Sequence, residues 1–347
     1  MTEVMTVGLD LAKNVFQVHG IDAAGQVRVR RQLRRGEVIR FFGSLTPCLV
    51  GMEACASSHH WAREIRAFGH EVRLMPPAYV KPYVKRGKTD AADAEAICEA
   101  VTRPTMRFVA VKSAEQQAVL MVHKARELLV RQRTMLTNAV RAHLAEYGMV
   151  AAQGPGGMGA LTTAVRDSED ALPAFARDAI DGLLAQLASA DAQIAALEAK
   201  IMEWHRADAA SRRLATIPGI GPITASALAA SVPDASLFRS GRQFAAWLGL
   251  TPRAHSSGGK DRITGISKQG DAYLRRLLVV GATAVLRYAR QENASRTWAV
   301  RLLQRKRPKV VAVALANKTA RIAWALLTRG EVYVAPRRTA ELNTVCS

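Results

Sequence analysis

The 347-residue sequence predicts an α/β domain at its N-terminus, a long helical middle, and a mostly α, basic C-terminal domain. Three observations predict it. Residues up to about Lys112 alternate short β-rich runs with helical ones, almost nothing from Ala114 to Tyr147 breaks a helix, and positive charge gathers beyond Ala210. The expected domains are 1–112, 113–209 and 210–347.

The N-terminal elements follow from periodicity and punctuation. "TVGLDLA", "VFQVHGID" and "QVRVRRQL" are β-rich and separated by Gly20 and Ala24-Gly25, which predicts three consecutive antiparallel strands. Helix in "GEVIRFFGSL", strand in "CLVGMEA", helix in "SSHHWAREIRAFG", strand in "EVRLMP" and a further helix complete the domain. In the middle, a second helical run starts near Arg177 after the glycine-rich "QGPGGMG". There Ile180, Leu183, Leu187, Ala190, Ile194, Leu197, Ile201 and Trp204 recur in steps of three and four. This heptad seam predicts a coiled coil, within the chain or between chains, with a simple core helix as the alternative. The C-terminal domain opens on "IPGIGPITASALAA", where Gly219 and Gly221 flank an apolar residue before a helix. The stretch is like the hairpin of helix-hairpin-helix modules, whose backbone amides approach a phosphate. A tight turn between packed helices fits it equally well.

Composition limits the function classes. Hydrophobic residues make up 49% and charged residues 22%, which excludes a mostly disordered chain. No run of roughly eighteen uncharged apolar residues occurs, and "MTEVMTVGLDLAKN" shows neither a basic leader nor a cleavage site, so a soluble, unexported, cytoplasmic protein without a membrane partner is expected. Cys48, Cys55, Cys98 and Cys346 have no zinc-site spacing and read as buried thiols in a reducing compartment. The formal charge is +20, and from Ala210 onward 23 Lys or Arg stand against 6 Asp or Glu, leaving 26 against 23 before it. A surplus gathered on one domain is the footprint of nucleic-acid binding, through neutralised phosphates that release counterions. A solvated basic surface or attraction to anionic lipid is the bland alternative.

Against that charge, "KRGKTDAADAEAICEAV" keeps Asp90 and Asp93 three apart on one helix face. Asp10 lies in the first strand and Glu53 closes the fourth, which would pair beside it. Four carboxylates meeting in this way require a cation, and hard oxygen ligands suit Mg²⁺ or Mn²⁺. Two such ions about 3.5 to 4 Å apart would clamp the attacking and leaving oxygens of a phosphodiester. Each acid taken alone reads more easily as structural, for instance as a helix-dipole partner. In the C-terminal domain "HSSGGKDR" reads as a flexible phosphate-contacting loop, with Arg253, Lys260, Arg262 and Lys268 crowded around it to grip phosphate and His255 as a candidate to take a proton, at a spacing that does not fix its geometry. His59 and His60 follow Glu53 as neighbours of a metal site or as surface residues, and Trp247 and Tyr273 as base-stacking or core aromatics.

The stretches "GLDLAKNVF", "GMEACASSHHWA", "KTDAADAEAI", "IPGIGPITASALAA" and "WLGLTPRAHSSGGKDRITGISKQGDAYLRRLL" together resemble the DEDD transposases of bacterial insertion sequences, a family also described as bridge-RNA-guided recombinases. The likeness runs to about Gly330. It implies that the N-terminal domain is RNase H-like, of the RuvC resolvase type, with Asp10, Glu53, Asp90 and Asp93 as its acidic tetrad. It further implies a catalytic serine before a glycine in a Pro-Arg-x-x-x-Ser-Gly stretch, here Pro252 to Gly258, which points to Ser257, with Ser256 beside it and Ser267 as a weaker third candidate. The family's chemistry would be cutting and rejoining DNA through a phosphoserine bond. Its site is composite, with acids from one protomer and serine from another, in dimers that assemble into tetramers and are directed by a structured guide RNA. Two other classes stay open on the residues alone: a metal-dependent junction nuclease that uses water, and a non-enzymatic architectural DNA-binding protein.

Overall fold

The computed structural model describes residues 3–85, 87, 89–167, 172–257, 260–288 and 297–335. The chain divides into two compact units, one of Met1–Gln117 with Ala230–Arg239, the other of Ala118–Ala229 with Ser240–Ser347. The expected middle and C-terminal stretches therefore share most of one unit.

The first unit is built on strands β1 (Thr6–Asp10), β2 (Val15–Ile21) and β3 (Val27–Arg34), helix α1 (Val38–Gly43), strand β4 (Leu49–Glu53), helix α2 (Ser58–Arg66), strand β5 (Glu71–Met75), the short helix α3 (Pro77–Val80), and helix α4 (Asp90–Val101). The sheet order is β3-β2-β1-β4-β5. β1, β2 and β3 run antiparallel, whereas β4 pairs parallel to both β1 and β5. This is the mixed α/β arrangement expected from the alternating strand and helix signals. Side chains alternate across the pleat. Val7, Leu9, Val50 and Met52 pack with Phe16, Trp61 and Ile65 in one apolar cluster. A second cluster joins Met75 to Ile97, Ala100 and Val101 of α4.

Docking of α4 rests on two glycines. Gly8 and Gly51 face each other in the parallel register of β1 and β4. A Cβ on Gly8 would stand 2.5 Å from the Cys98 amide nitrogen, and one on Gly51 would stand 2.7 Å from the Val101 Cβ. Both distances are closer than real side chains allow, so only glycine lets the helix lie this deep on the strands. Thr89 caps α4 by accepting the Ala92 amide at 3.3 Å, and the two first-turn acids, Asp90 and Asp93, suit the positive end of the helix dipole.

The second unit holds most of α5 (Ala114–Ala145), then α6 (Pro155–Asp167), α7 (Ala174–Ala207), α8 (Ala209–Leu214), α9 (Pro222–Ser231), α10 (Gly241–Trp247), strands β6 (Pro252–Ser257) and β7 (Lys260–Ile266), and helices α11 (Ala272–Arg287), α12 (Thr297–Leu303) and α13 (Pro308–Arg329). Arg126 meets Glu198 at 2.5 Å and Arg133 meets Asp191 at 3.3 Å, so α5 and α7 run antiparallel. Ile180, Leu187, Ala190, Ile194 and Ile201 of the heptad seam are buried, the first two in a cluster with Val140 and Leu144 of α5 and Met158 and Leu161 of α6. That seam is thus largely covered within one chain.

α13 is long and apolar enough to cross a membrane by length and composition alone. It carries Lys318 and Arg321, packs on α10 and α11, and buries Val311, Ala316, Ala320 and Ala323 as a core helix does.

Candidate functional site

β1 and β4 end side by side, and α4 begins above them. Asp10 closes β1, Glu53 closes β4, and Asp90 and Asp93 occupy the first turn of α4. Carboxylate oxygens of Asp10, Asp90 and Asp93 come within 4.8 Å of one another. Glu53 stays outside this tight set but is coupled to it. Burial, and then the charges of Asp93 and Asp90, raise the Asp10 carboxyl above the ordinary carboxylate range. Burial raises Glu53 too, with the charges of Asp10 and Asp93 adding to it. Acids that raise one another are the mark of a site short of positive charge. The donors are all hard oxygens from rigid elements, a set that fits a divalent cation such as Mg²⁺ or Mn²⁺.

The sequence reading missed Gly8 and Gly51. Each stands two residues before an acid, on the same strand face, in Gly8-Leu9-Asp10 and Gly51-Met52-Glu53. The repeated Gly-x-acid pattern was the available signal: the glycines admit the helix, and Asp10 meets that helix's first turn with Glu53 at the neighbouring strand end.

His59 is engaged by Lys112. Its Nδ1 accepts the Lys112 amide at 3.2 Å and its Nε2 lies 3.1 Å from the Lys112 Nζ. Burial, then the charges of Lys112 and Arg63, push the imidazole down to about 4. His60 is exposed and sits 3.7 Å from Glu64. Cys48 and Cys98 are buried as expected, whereas Cys55 is exposed, and Cys346 lies outside the described residues.

In the second unit the described residues of the "HSSGGKDR" stretch, 255–257 and 260–262, are strand rather than irregular loop. They pair in the β6–β7 hairpin, with Ser257 opposite Lys260 and His255 opposite Arg262 at the far end from the Pro252–Ile266 stem. The side chains of His255, Ser256, Ser257, Lys260 and Arg262 and all of Gly258 and Gly259 lie outside the described structure. Arg253 is exposed on β6. Lys268 stands past the stem, with φ of 56° and its amide donating to the Gly249 carbonyl at 3.2 Å, next to Ser267, whose amide donates to Thr251 at 2.9 Å. Lys268 and Ser267 therefore belong to the root of the hairpin, away from the Ser257 end.

The two glycines before α9 differ. Gly219 has φ of 87° and packs on α11, where a Cβ would meet the Gly281 carbonyl at 2.9 Å and the Val285 side chain at 2.8 Å. Gly221 has open space around it. Tyr273 is a core residue: its hydroxyl lies 3.0 Å from Nδ1 of the fully buried His123, whose Nε2 lies 3.1 Å from Ser226 Oγ. Trp247 stacks on Phe244. The tail from Pro336 onward lies outside the described residues.

Comparison with known proteins agrees with this layout. Residues 7–149 match the DEDD-type transposase model of the IS110 group, and residues 211–297 match the model described as Transposase IS116/IS110/IS902 family. The chain is 56% identical over 330 residues to a probable family 20 transposase of Pseudomonas aeruginosa, covering 94% of this chain and 98% of that protein. It is 40% identical over 334 residues to the transposase for insertion sequence element IS1328 of Yersinia enterocolitica, covering 96% and 99%. The transposase for insertion sequence element IS1111A of Coxiella burnetii is also 40% identical, over 335 residues, with 96% and 92% covered. With an acidic cluster at the sheet ends of one unit, a basic helical second unit, and relatives matched almost end to end, the chain belongs to the IS116/IS110/IS902 family of insertion-sequence transposases.

Proposed function

We propose that this transposase is a site-specific recombinase that cuts and rejoins DNA through Ser257, with Asp10, Glu53, Asp90 and Asp93 holding Mg²⁺ or Mn²⁺ beside the scissile phosphate. The observation that carries the proposal is the convergence of Asp10, Asp90 and Asp93 from a strand end and a helix start. The bound ion would neutralise the acids and polarise the phosphate. The Ser257 hydroxyl attacks phosphorus, the bond to the leaving strand oxygen breaks, and that oxygen takes up the proton. A hydroxyl of the new strand then attacks the phosphoserine and restores the serine, so one phosphodiester is exchanged for another. Arg253, Lys260, Arg262 and Lys268 grip the phosphates on and around the hairpin, and the amides near Gly219 and Gly221 contact backbone phosphate.

The N-terminal domain is read as RuvC-type RNase H-like. The strand order β3-β2-β1-β4-β5, with acids closing β1 and β4, supports that reading. The three-part division into catalytic domain, coiled-coil region and serine-bearing domain goes with it. A homodimer that assembles into a tetramer, with a guide RNA selecting the DNA, completes the reading. Support for a dimer comes from α5, where Met121, Leu128 and Met135 are exposed at heptad spacing.

A strand-transfer assay on element-end DNA tests the proposal. Ser257→Ala that binds DNA but transfers no strand supports it. Cleavage that survives Ser257→Ala and is abolished by Asp10→Ala makes water the nucleophile and the enzyme a junction nuclease.

A further inference from the structure

Beside the root of the β6–β7 hairpin lies a cavity of about 850 Å³, open to the surface of the second unit. Ile266 and Pro252 of the hairpin stem form one wall, and Val310, Val313 and Ala314 of α13 form another. Trp298 closes the rim, 39% exposed, with the Lys318 ammonium 5.2 Å from its ring centre. Lys309 and Arg321 complete the edge. Among the described residues no carboxylate lines the cavity, and none of the three cations is ion-paired. Asn317 donates to the Leu250 carbonyl at 3.1 Å and ties α13 to the segment leading into β6. Arg305, Lys306 and Arg307, all exposed, immediately precede α13.

An apolar hollow with one half-exposed indole and a ring of cations without a carboxylate partner among the described residues presents two chemistries at once. The floor favours a flat, uncharged ring system, and the rim favours an anion. A nucleotide carries both in one residue. An apolar protein segment would leave the cations unanswered, and a regular duplex would leave the hollow empty. From this geometry we infer that the cavity takes an unpaired base of a single-stranded nucleic acid, stacked on Trp298, with its flanking phosphates on Lys309, Lys318 and Arg321. The bound strand is held at the root of the hairpin whose other end carries Ser257. The inference rests on the recombinase reading above for the identity of that strand, while the base site itself stands on the cavity.

The test uses the full-length protein, fluorescently labelled twelve-nucleotide oligo-dT and oligo-U, and element-end duplex, followed by anisotropy. Trp298→Ala is expected to weaken single-strand binding about tenfold and Trp298→Phe by about threefold or less, with duplex binding unchanged. Lys318→Ala with Arg321→Ala is expected to flatten the salt dependence of single-strand binding by about 1.4 in log-log slope, roughly 0.7 per lost phosphate contact. In the unsubstituted protein, 5-iodouracil oligonucleotides are expected to photocrosslink to Trp298, a result that does not depend on any variant folding. Tighter binding of the DNA or the RNA strand would identify which one the site serves. Unchanged affinity in both variants with no crosslink at Trp298 overturns the inference. So does Trp298→Ala that keeps its oligonucleotide affinity and loses self-association, which would make the cavity a protein contact. A covalent protein-DNA adduct that survives Ser257→Ala, measured in parallel, would refute the recombinase reading and leave the base site intact.

Discussion

Asp10, at the end of β1, and Asp93, in the first turn of α4, bring carboxylate oxygens within 4.8 Å of each other. Neither reaches the other through local sequence; the helix is seated on the strands by Gly8 and Gly51, and that seat sets the distance.

The acids repel one another in the absence of a cation. Asp10→Asn is therefore expected to raise the metal-free stability by about 1 kcal/mol, and to abolish the thermal stabilisation that Mg²⁺ gives the wild type. The sign with pH follows from the raised Asp10 and Glu53 carboxyls, since groups raised in the folded state stabilise it when protonated. Their contribution is present at low pH and is lost as pH rises through the raised values. Differential scanning of wild type minus Asp10→Asn across pH isolates it, and equal Mg²⁺ shifts in both proteins would contradict the metal site.

Gly8→Ala or Gly51→Ala pushes a methyl group into α4. Each is expected to cost about 1–3 kcal/mol in urea unfolding and to reduce the Mg²⁺ shift, because α4 carries Asp90 and Asp93. Gly36→Ala, at an exposed position with nothing near its absent Cβ, is the control and is expected to change stability little.

The element order of the first unit was legible because its strands alternate and its turns carry glycine, and Asp90 and Asp93 were legible as a pair because a helix puts residues three apart on one face. The seat for α4 was not. A single glycine in a strand looks only like a missing side chain, and the atoms it makes room for, on Cys98 and Val101, lie far along the chain. The β6–β7 hairpin was hidden for a different reason: "HSSGGKDR" lacks the apolar alternation that marks a half-buried strand, and its order comes from cross-strand pairing. The tie joining His123, Ser226 and Tyr273 was equally hidden, since three helices contribute one residue each.

That tie predicts a pH dependence of the second unit. Burial, then the charges of Arg126 and Lys124, push His123 from 6.5 down to about 4. The neutral imidazole is the folded form, so its stabilisation is present above pH 6.5 and is lost as pH falls toward 4, a change on the order of 3 kcal/mol. His123→Asn is expected to be less stable at pH 7 and to show a shallower loss between pH 7 and pH 5. Parallel pH profiles for the two proteins would contradict the assignment.

Exposed Met121, Leu128 and Met135 predict a self-association surface on α5. Leu128→Lys with Met135→Lys is expected to shift sedimentation from dimer to monomer while leaving monomer stability within about 0.5 kcal/mol per substitution, as surface changes do. A dimer that survives both changes would place the contact elsewhere.

The most direct test of the recombinase account is to trap and map a covalent protein-DNA adduct, using element-end DNA, the flanking non-coding RNA and Mg²⁺, with Ser257→Ala, Ser256→Ala and Asp10→Ala beside the wild type. The account predicts an adduct at Ser257 that persists in Ser256→Ala and is lost in Ser257→Ala and Asp10→Ala. DNA cleavage without any adduct, unaffected by both serine substitutions, would contradict it.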